Sequence, residues 1–140
     1  MTQFILSKDL HTGNTLIDGD HRELVALVNT LFEAMENGPG GAPLADAMNE
    51  LVAYSNEHFG REEAEMRRID YVAMLAHQAE HAKLLKQVIE LKKVLDAGGR
   101  INVPALTEFL SEWLREHILG ADMKLAAALK RARAADPLPN

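Results

Sequence analysis

Apolar residues recur three and four positions apart along nearly the whole chain, with little of the alternation that a half-buried strand would show. The pattern predicts four helices. The first spans about 18–37, with Asp18 as a candidate N-cap and Ile17, His21, Leu24, Val28, Leu31 and Phe32 on one stripe. It is stopped by "NGPGGAP", Asn37 to Pro43, whose glycines and prolines cannot continue a helix. The second spans 43–67, with Pro43 suited to a first turn and Met48, Leu51, Ser55, His58, Phe59, Glu62 and Met66 along its inner face. Punctuation after Arg67 is weak. The third spans 71–96, aligns Met74, His77, Gln78, His81, Leu85 and Val88, and is closed by "DAGGR". The fourth spans 103–133, opening at "NVPAL" with Asn102 as a candidate cap; the tail "ADPLPN" is expected to fray. Long helices with short connections predict an all-α fold. The expected architecture is an up-down-up-down antiparallel four-helix bundle filling 1–140 as a single domain, a fold that builds metal sites in its core.

Polar residues interrupt these stripes. Five of the six histidines, His21, His58, His77, His81 and His117, fall on apolar faces, as does Glu62, and Asp122 joins them if the fourth helix is irregular. Taken singly, a histidine on such a stripe is more often a hydrogen-bonded core residue than a ligand. Seven polar side chains facing one interior are different, because a buried carboxylate without a partner costs several kcal/mol. One shared cation site would satisfy all of them.

The spacings agree with that solution. His58 and Glu62 in "HFGRE", and His77 and His81 in "HQAEH", are each four apart and project from one helical face. His21 comes from the first helix, and His117 and Asp122 from the fourth. Imidazole with carboxylate suits iron, manganese or zinc rather than calcium or magnesium. Seven ligands are too many for one such ion and suit two. If Glu62 and Asp122 bridge the pair along with a solvent-derived oxygen, three histidines complete a six-coordinate ion and two leave the other five-coordinate. One position then stays open to a small molecule.

His117 and Asp122 are five apart, which on a regular α-helix puts them roughly 140° round the axis from each other. The stripe before this point holds Leu106, Leu110, Trp113, Leu114 and His117, while Ile118, Asp122, Leu125 and Leu129 define one rotated by about a residue's turn. A phase jump of that size predicts a π-type bulge between His117 and Asp122, eased by Gly120.

Composition narrows the function classes. No cysteine is present, which removes disulfides, thiolate metal sites and cysteine chemistry. A net charge of −6 with scattered basic residues argues against nucleic acid. "MTQFILSKDL" is not a signal peptide, and no apolar stretch approaches the about 20 residues that span a bilayer, so a soluble cytoplasmic protein without membrane insertion is expected. His11 lies outside the pattern and is expected in an exposed loop with no role.

At these residues the sequence resembles the hemerythrin family, its bacterial branch in particular. The resemblance runs from "LIDGDHRELVALVN" through "HFGREEAEM" and "HQAEH" to "WLREHILGADMKL", and its motifs, one His, His-x3-Glu, His-x3-His and His-x4-Asp, are all present. It implies a non-haem, oxo- or hydroxo-bridged di-iron centre that binds dioxygen reversibly. By that resemblance His77, His81 and His117 hold the six-coordinate iron, His21 and His58 hold the iron with the open position, and Glu62 and Asp122 bridge. Five neutral imidazoles make such a centre less electron-rich than glutamate-dominated oxidase sites, which favours release of dioxygen over O–O cleavage. Leu24, Phe59, Trp113, Leu114 and Ile118 are the implied dry pocket for dioxygen. The chain departs from the family at Asp20, where Gln is frequent, at Val72, where Pro commonly follows the Tyr, and in lacking an N-terminal tryptophan, for which Phe4 is a substitute.

The leading expectation is a dioxygen binder for storage, delivery or sequestration, not an enzyme, acting as a monomer with a protein recipient or reductant. The alternatives are a peroxidase, oxidase or nitric-oxide scavenger at the same centre, for which no spare core Glu or Tyr offers a proton, and an oxygen or iron sensor, for which 140 residues leave no signalling module. Zinc as native metal is a further alternative.

Overall fold

The computed structural model describes residues 11–36, 42–97 and 102–135. Among them are only helices: α1 (Thr15–Glu36), α2 (Ala42–Arg68), α3 (Met74–Asp96), and a fourth rod made of α4 (Val103–His117), a π-helical turn (Ile118–Asp122) and α5 (Met123–Ala135). α1 packs on α2 and on α4, and α2 packs on α3. The Trp113 indole Nε1 donates to the Leu84 carbonyl (3.1 Å), tying the fourth rod to α3. The result is an up-down-up-down four-helix bundle. No described helix is long and apolar enough to cross a membrane. Phe4, most of the breaks at 37–43 and 96–100, and nearly all of the 135–140 tail lie outside the described residues.

The helix ends explain where sequence reading and structure part. α1 starts at Thr15, not near Asp18, because Asn14 caps it: Asn14 Oδ1 accepts the Ile17 amide at 3.0 Å. Asp18 turns outward instead and accepts from the Thr12 amide and hydroxyl and the Gly13 amide (2.7–3.1 Å), fastening the arm that precedes the helix. α2 ends in a left-handed residue at Asp70 (φ 50°). The Tyr71 amide donates to the Met66 carbonyl (2.9 Å) and the Asp70 amide to Arg67 (3.3 Å), the paired bonds of a Schellman ending. That ending normally advertises itself by glycine, which is why an aspartate there left the boundary weakly marked. Asn102 does cap α4, its side chain accepting from the Ala105 amide at 3.0 Å.

Burial is organised in two apolar clusters with a polar layer between them along each helix. The larger includes Leu24, Val28, Phe32, Leu51, Leu84 and Leu110; the smaller is Ile17, Met66, Leu125, Ala126 and Leu129. On α3 the buried series is His77, His81, Leu84 and Val88, with Leu85 partly buried against the same core. His11 is exposed. Gly120 is not what permits the π-turn, since its φ is not positive and a Cβ there would meet nothing within 4 Å.

Two substitutions check this packing by urea denaturation. Leu110→Ala, at a site with 0% exposure, is expected to cost about 2–5 kcal/mol. Gly120→Ala is expected to add about 0.5–1 kcal/mol, from helix propensity without a clash; a loss would show that the π-turn needs glycine after all.

Candidate metal centre

Each helix delivers its polar residues to the layer by periodicity. His21 lies four residues after Ile17 and three before Leu24 on α1; His58 and Glu62 lie one turn apart on α2, as do His77 and His81 on α3. In the fourth rod the π-turn adds one residue to a turn, so that His117 and Asp122 face each other, with His117 Nε2 2.7 Å from Asp122 Oδ2. All seven are at most 3% exposed.

Their donor atoms converge on two overlapping groups, His21, His58, Glu62, His117 and Asp122, and Glu62, His77, His81 and Asp122, each within 4.8 Å internally. The two carboxylates belong to both. His77 Nε2 stands 3.2 Å from Glu62 Oε1 and 3.0 Å from Asp122 Oδ1, and His81 Nε2 stands 2.8 Å from Glu62 Oε1. His21 Nε2 bonds Asp122 Oδ2. His117 falls in the first group, beside His21 and His58 (ring centroids 5.4 and 5.1 Å) rather than in the group of His77 and His81, to which the family resemblance assigned it; its ring is 5.7 Å from that of His81.

The donor set fits a pair of cations. Each of the five candidate histidines turns Nε2 to the carboxylates, and Glu62 Oε2 is buried 2.8 Å from His58 Nε2 without hydrogen-bond alignment. His58 and His117 bring their Nε2 atoms to 2.9 Å, a spacing at which only one of them can hold the proton. Lone pairs crowded on a common centre and a carboxylate oxygen left without a hydrogen-bond partner are what a metal site requires.

Behind the ligands lies a set of residues that sequence reading did not assign. Asp20 Oδ2 accepts from His58 Nδ1 (2.8 Å) and Arg61 Nε (2.9 Å); Asp20 Oδ1 accepts from Arg61 Nη2 and the Tyr54 hydroxyl (both 2.9 Å). On the other side Glu63 Oε2 accepts from His81 Nδ1 (2.9 Å) and Glu63 Oε1 from the Gln78 amide (3.0 Å). A signal was available: Asp20 shares a face with Leu24 and Val28, and Glu63 with Phe59 and Met66. Tyr71 was also missed. Its ring is 6.4 Å from His77, and both line a cavity of about 590 Å³ with Glu80, Glu116 and Gly120. Phe59 stacks on His81 (4.2 Å between centroids, 13°) and meets His117 edge-on (5.1 Å). Leu24, Phe59, Trp113, Leu114 and Ile118 all belong to the larger apolar cluster.

Electrostatics follow from this crowding. Burial alone would lower His58, but the neighbouring carboxylates of Asp122, Asp20 and Glu62 push it up to about 11. His77 is likewise opposed by burial and raised to about 9 by Asp122 and Glu62. Fully enclosed His117 is lowered, burial being the largest cause. Burial and the Asp122 charge would raise Glu62, yet His117, His58 and His77 hold it at about 2. Asp122 is depressed well below the usual range, its burial outweighed by His117, His21 and His58. Burial opposes Asp20 too, but His58, Arg61 and Tyr54 keep it ionised far into acid.

Residues 12–129 match the family described as the Hemerythrin HHE cation binding domain. The Bacteriohemerythrin of Pseudomonas paraeruginosa (strain DSM 24068 / PA7) is 31% identical over 94% of this chain and 85% of its own. That of Clostridium acetobutylicum is 28% identical over 85% and 95%. A crystal structure of wild-type hemerythrin superposes with a TM-score of 0.80 at 29% identity, covering 92% of this chain and 97% of that one.

The raised histidines set a pH signature. With His58 near 11 and His77 near 9, both carry protons at neutral pH in the cation-free protein, and a cation must displace them. Anaerobic Fe(II) addition in weak buffer is expected to release about two protons per chain, and affinity to rise with pH toward 9. An indicator dye reads the release; none at all would contradict these assignments. For cation-free stability the histidines contribute fully below their ordinary 6.5 and lose that contribution as pH rises through about 9 and 11. Glu62 contributes above its ordinary 4.5 and loses it toward about 2, so thermal melts should peak between 4.5 and 6.5.

Proposed function

Because the chain belongs to the hemerythrin family, we propose that it binds dioxygen reversibly at a bridged pair of non-haem iron ions, for storage, delivery or sequestration. The observation that carries this reading is the overlap of two donor groups through Glu62 and Asp122 in a layer at most 3% exposed. His21, His58, His77, His81 and His117 would hold the ions through Nε2 lone pairs, with Glu62 and Asp122 shared between them. When bound, the iron pair supplies two electrons and one open coordination position for dioxygen. By the family resemblance the ion beside His77 and His81 takes His117 as its third imidazole, and the ion beside His21 and His58 keeps the open position. In this structure the His117 donor atom groups with those of His21 and His58, so that assignment rests on the resemblance alone.

The chain's own residues then hold and insulate. Asp20 and Glu63 fix the tautomers of His58 and His81 by accepting from Nδ1, which leaves each Nε2 a lone pair. Phe59 locks the His81 ring face to face. Leu24, Phe59, Trp113, Leu114 and Ile118 form a dry wall that limits access of water and protons. This is the setting for a soluble, cytoplasmic, monomeric carrier that hands its cargo to a protein recipient or takes electrons from a protein reductant.

A second reading, peroxidase-type turnover, gains from one observation. Tyr71 is a phenol beside His77 on a cavity wall, a proton source close to the ligand layer. Multiple turnovers with hydrogen peroxide and a reductant, abolished by Tyr71→Phe with iron content unchanged, would favour an enzyme.

The carrier reading is tested by optical spectroscopy. Protein purified without added metal is expected to hold about two iron per chain, with zinc as the rival result of metal analysis. Reduced anaerobically and then exposed to air, it should gain a visible charge-transfer band that vanishes when oxygen is removed, over repeated cycles. Rapid irreversible oxidation with no reversible band would sink the carrier reading. Glu62→Gln and Asp122→Asn should each lose the band and most of the iron.

A further inference from the structure

The two halves of the polar layer are backed by carboxylates in unlike surroundings. On the side of His77 and His81, Glu63 accepts from His81 Nδ1 and is otherwise held by the neutral Gln78 amide, with 22% of its side chain exposed. On the side of His21 and His58, Asp20 accepts from His58 Nδ1, but the same carboxylate takes both arms of the Arg61 guanidinium and the Tyr54 hydroxyl, with 10% exposed. Arg61 is itself placed by its guanidinium carbon 5.2 Å over the Tyr54 ring. A carboxylate behind an imidazole raises the basicity of the opposite nitrogen and so favours the higher oxidation state of the metal it binds. Fixing the carboxylate's charge on a guanidinium removes much of that donation.

We propose that Glu63 and Asp20 are unequal positioning residues, so that the iron beside His77 and His81 gives up its electron before the iron beside His21 and His58. Two imidazoles thus have a carboxylate on Nδ1, one on each side, and the remaining three, His21, His77 and His117, have buried Nδ1 atoms without a hydrogen-bond partner. The asymmetry therefore resides in what lies behind the carboxylates, Gln78 against Arg61 and Tyr54. This rests on the di-iron reading above. Against a one-electron outer-sphere oxidant such as ferricyanide, oxidation runs in two steps. The first Fe(II) becomes Fe(III) as one ferricyanide becomes ferrocyanide, and the second repeats this at the other ion.

Anaerobic potentiometric titration of the reduced protein with ferricyanide reads the two steps without dioxygen. Glu63→Gln should raise the first potential and leave the second. Asp20→Asn should raise the second. Arg61→Gln should lower the second, because it frees the Asp20 charge, and so narrow the gap between steps; Arg61→Lys, which keeps the charge, should largely restore it. A purely structural role for Arg61 would loosen His58 and raise the second potential or shed iron, the opposite sign. If Glu63→Gln fails to fold, Glu63→Asp, which withdraws the carboxylate by one methylene, should raise the first potential. Iron-loaded protein in which Glu63 variants move only the second step, or Arg61→Gln fails to lower it, overturns this inference alone. A chain that takes up no iron pair overturns the di-iron reading along with it.

Discussion

Two carboxylates and five imidazoles share one buried layer of the bundle, and everything else in the structure accommodates that fact. Glu62 and Asp122 are 2% and 0% exposed and repel each other, so as a bare pair they would cost several kcal/mol each. Only positive charge at their common centre offsets this. Protons on His58 and His77 supply it in the cation-free protein and metal ions supply it in the loaded one, which makes proton release and metal capture two sides of one exchange. The apolar clusters above and below carry the folding energy that the layer itself does not.

The same demand explains the one irregularity in the helices. A straight fourth helix would point His117 and Asp122 to different sides, whereas the π-turn at Ile118–Asp122 turns both inward within 2.7 Å. That feature is specified by residues rather than by glycine's freedom, since Gly120 has room for a side chain and the flanking stripes carry the phase jump on their own. Packing on either side, Leu110 and Leu114 before, Leu125 and Leu129 after, holds each segment in its register.

Much of this was legible in the sequence because it was periodic. The four helices, the seven converging side chains, the Asn102 cap and the bulge all follow from where apolar and ligand-type residues fall modulo one turn. What escaped was not periodic. The start of α1 depended on which of Asn14 and Asp18 would bond the helix amides, a choice settled by the Thr12 and Gly13 donors that claim Asp18. The end of α2 used an aspartate where glycine is the usual sign. Arg61 and Tyr54 were hidden for another reason: the face that Asp20 and Glu63 share with apolar residues marks those two carboxylates, but not which side chain of a neighbouring helix they meet, and the 41 residues from Asp20 to Arg61 carry no pattern.

The central claim is that this layer holds two bridged ions rather than one. Mössbauer and electron paramagnetic resonance spectra of air-oxidised protein, loaded with the Mössbauer isotope of iron, test it directly. The account predicts about two ferric ions per chain, magnetically coupled and silent in paramagnetic resonance, as a solvent-derived oxo bridge held alongside Glu62 and Asp122 would make them. A single, magnetically isolated ferric ion per chain would contradict it.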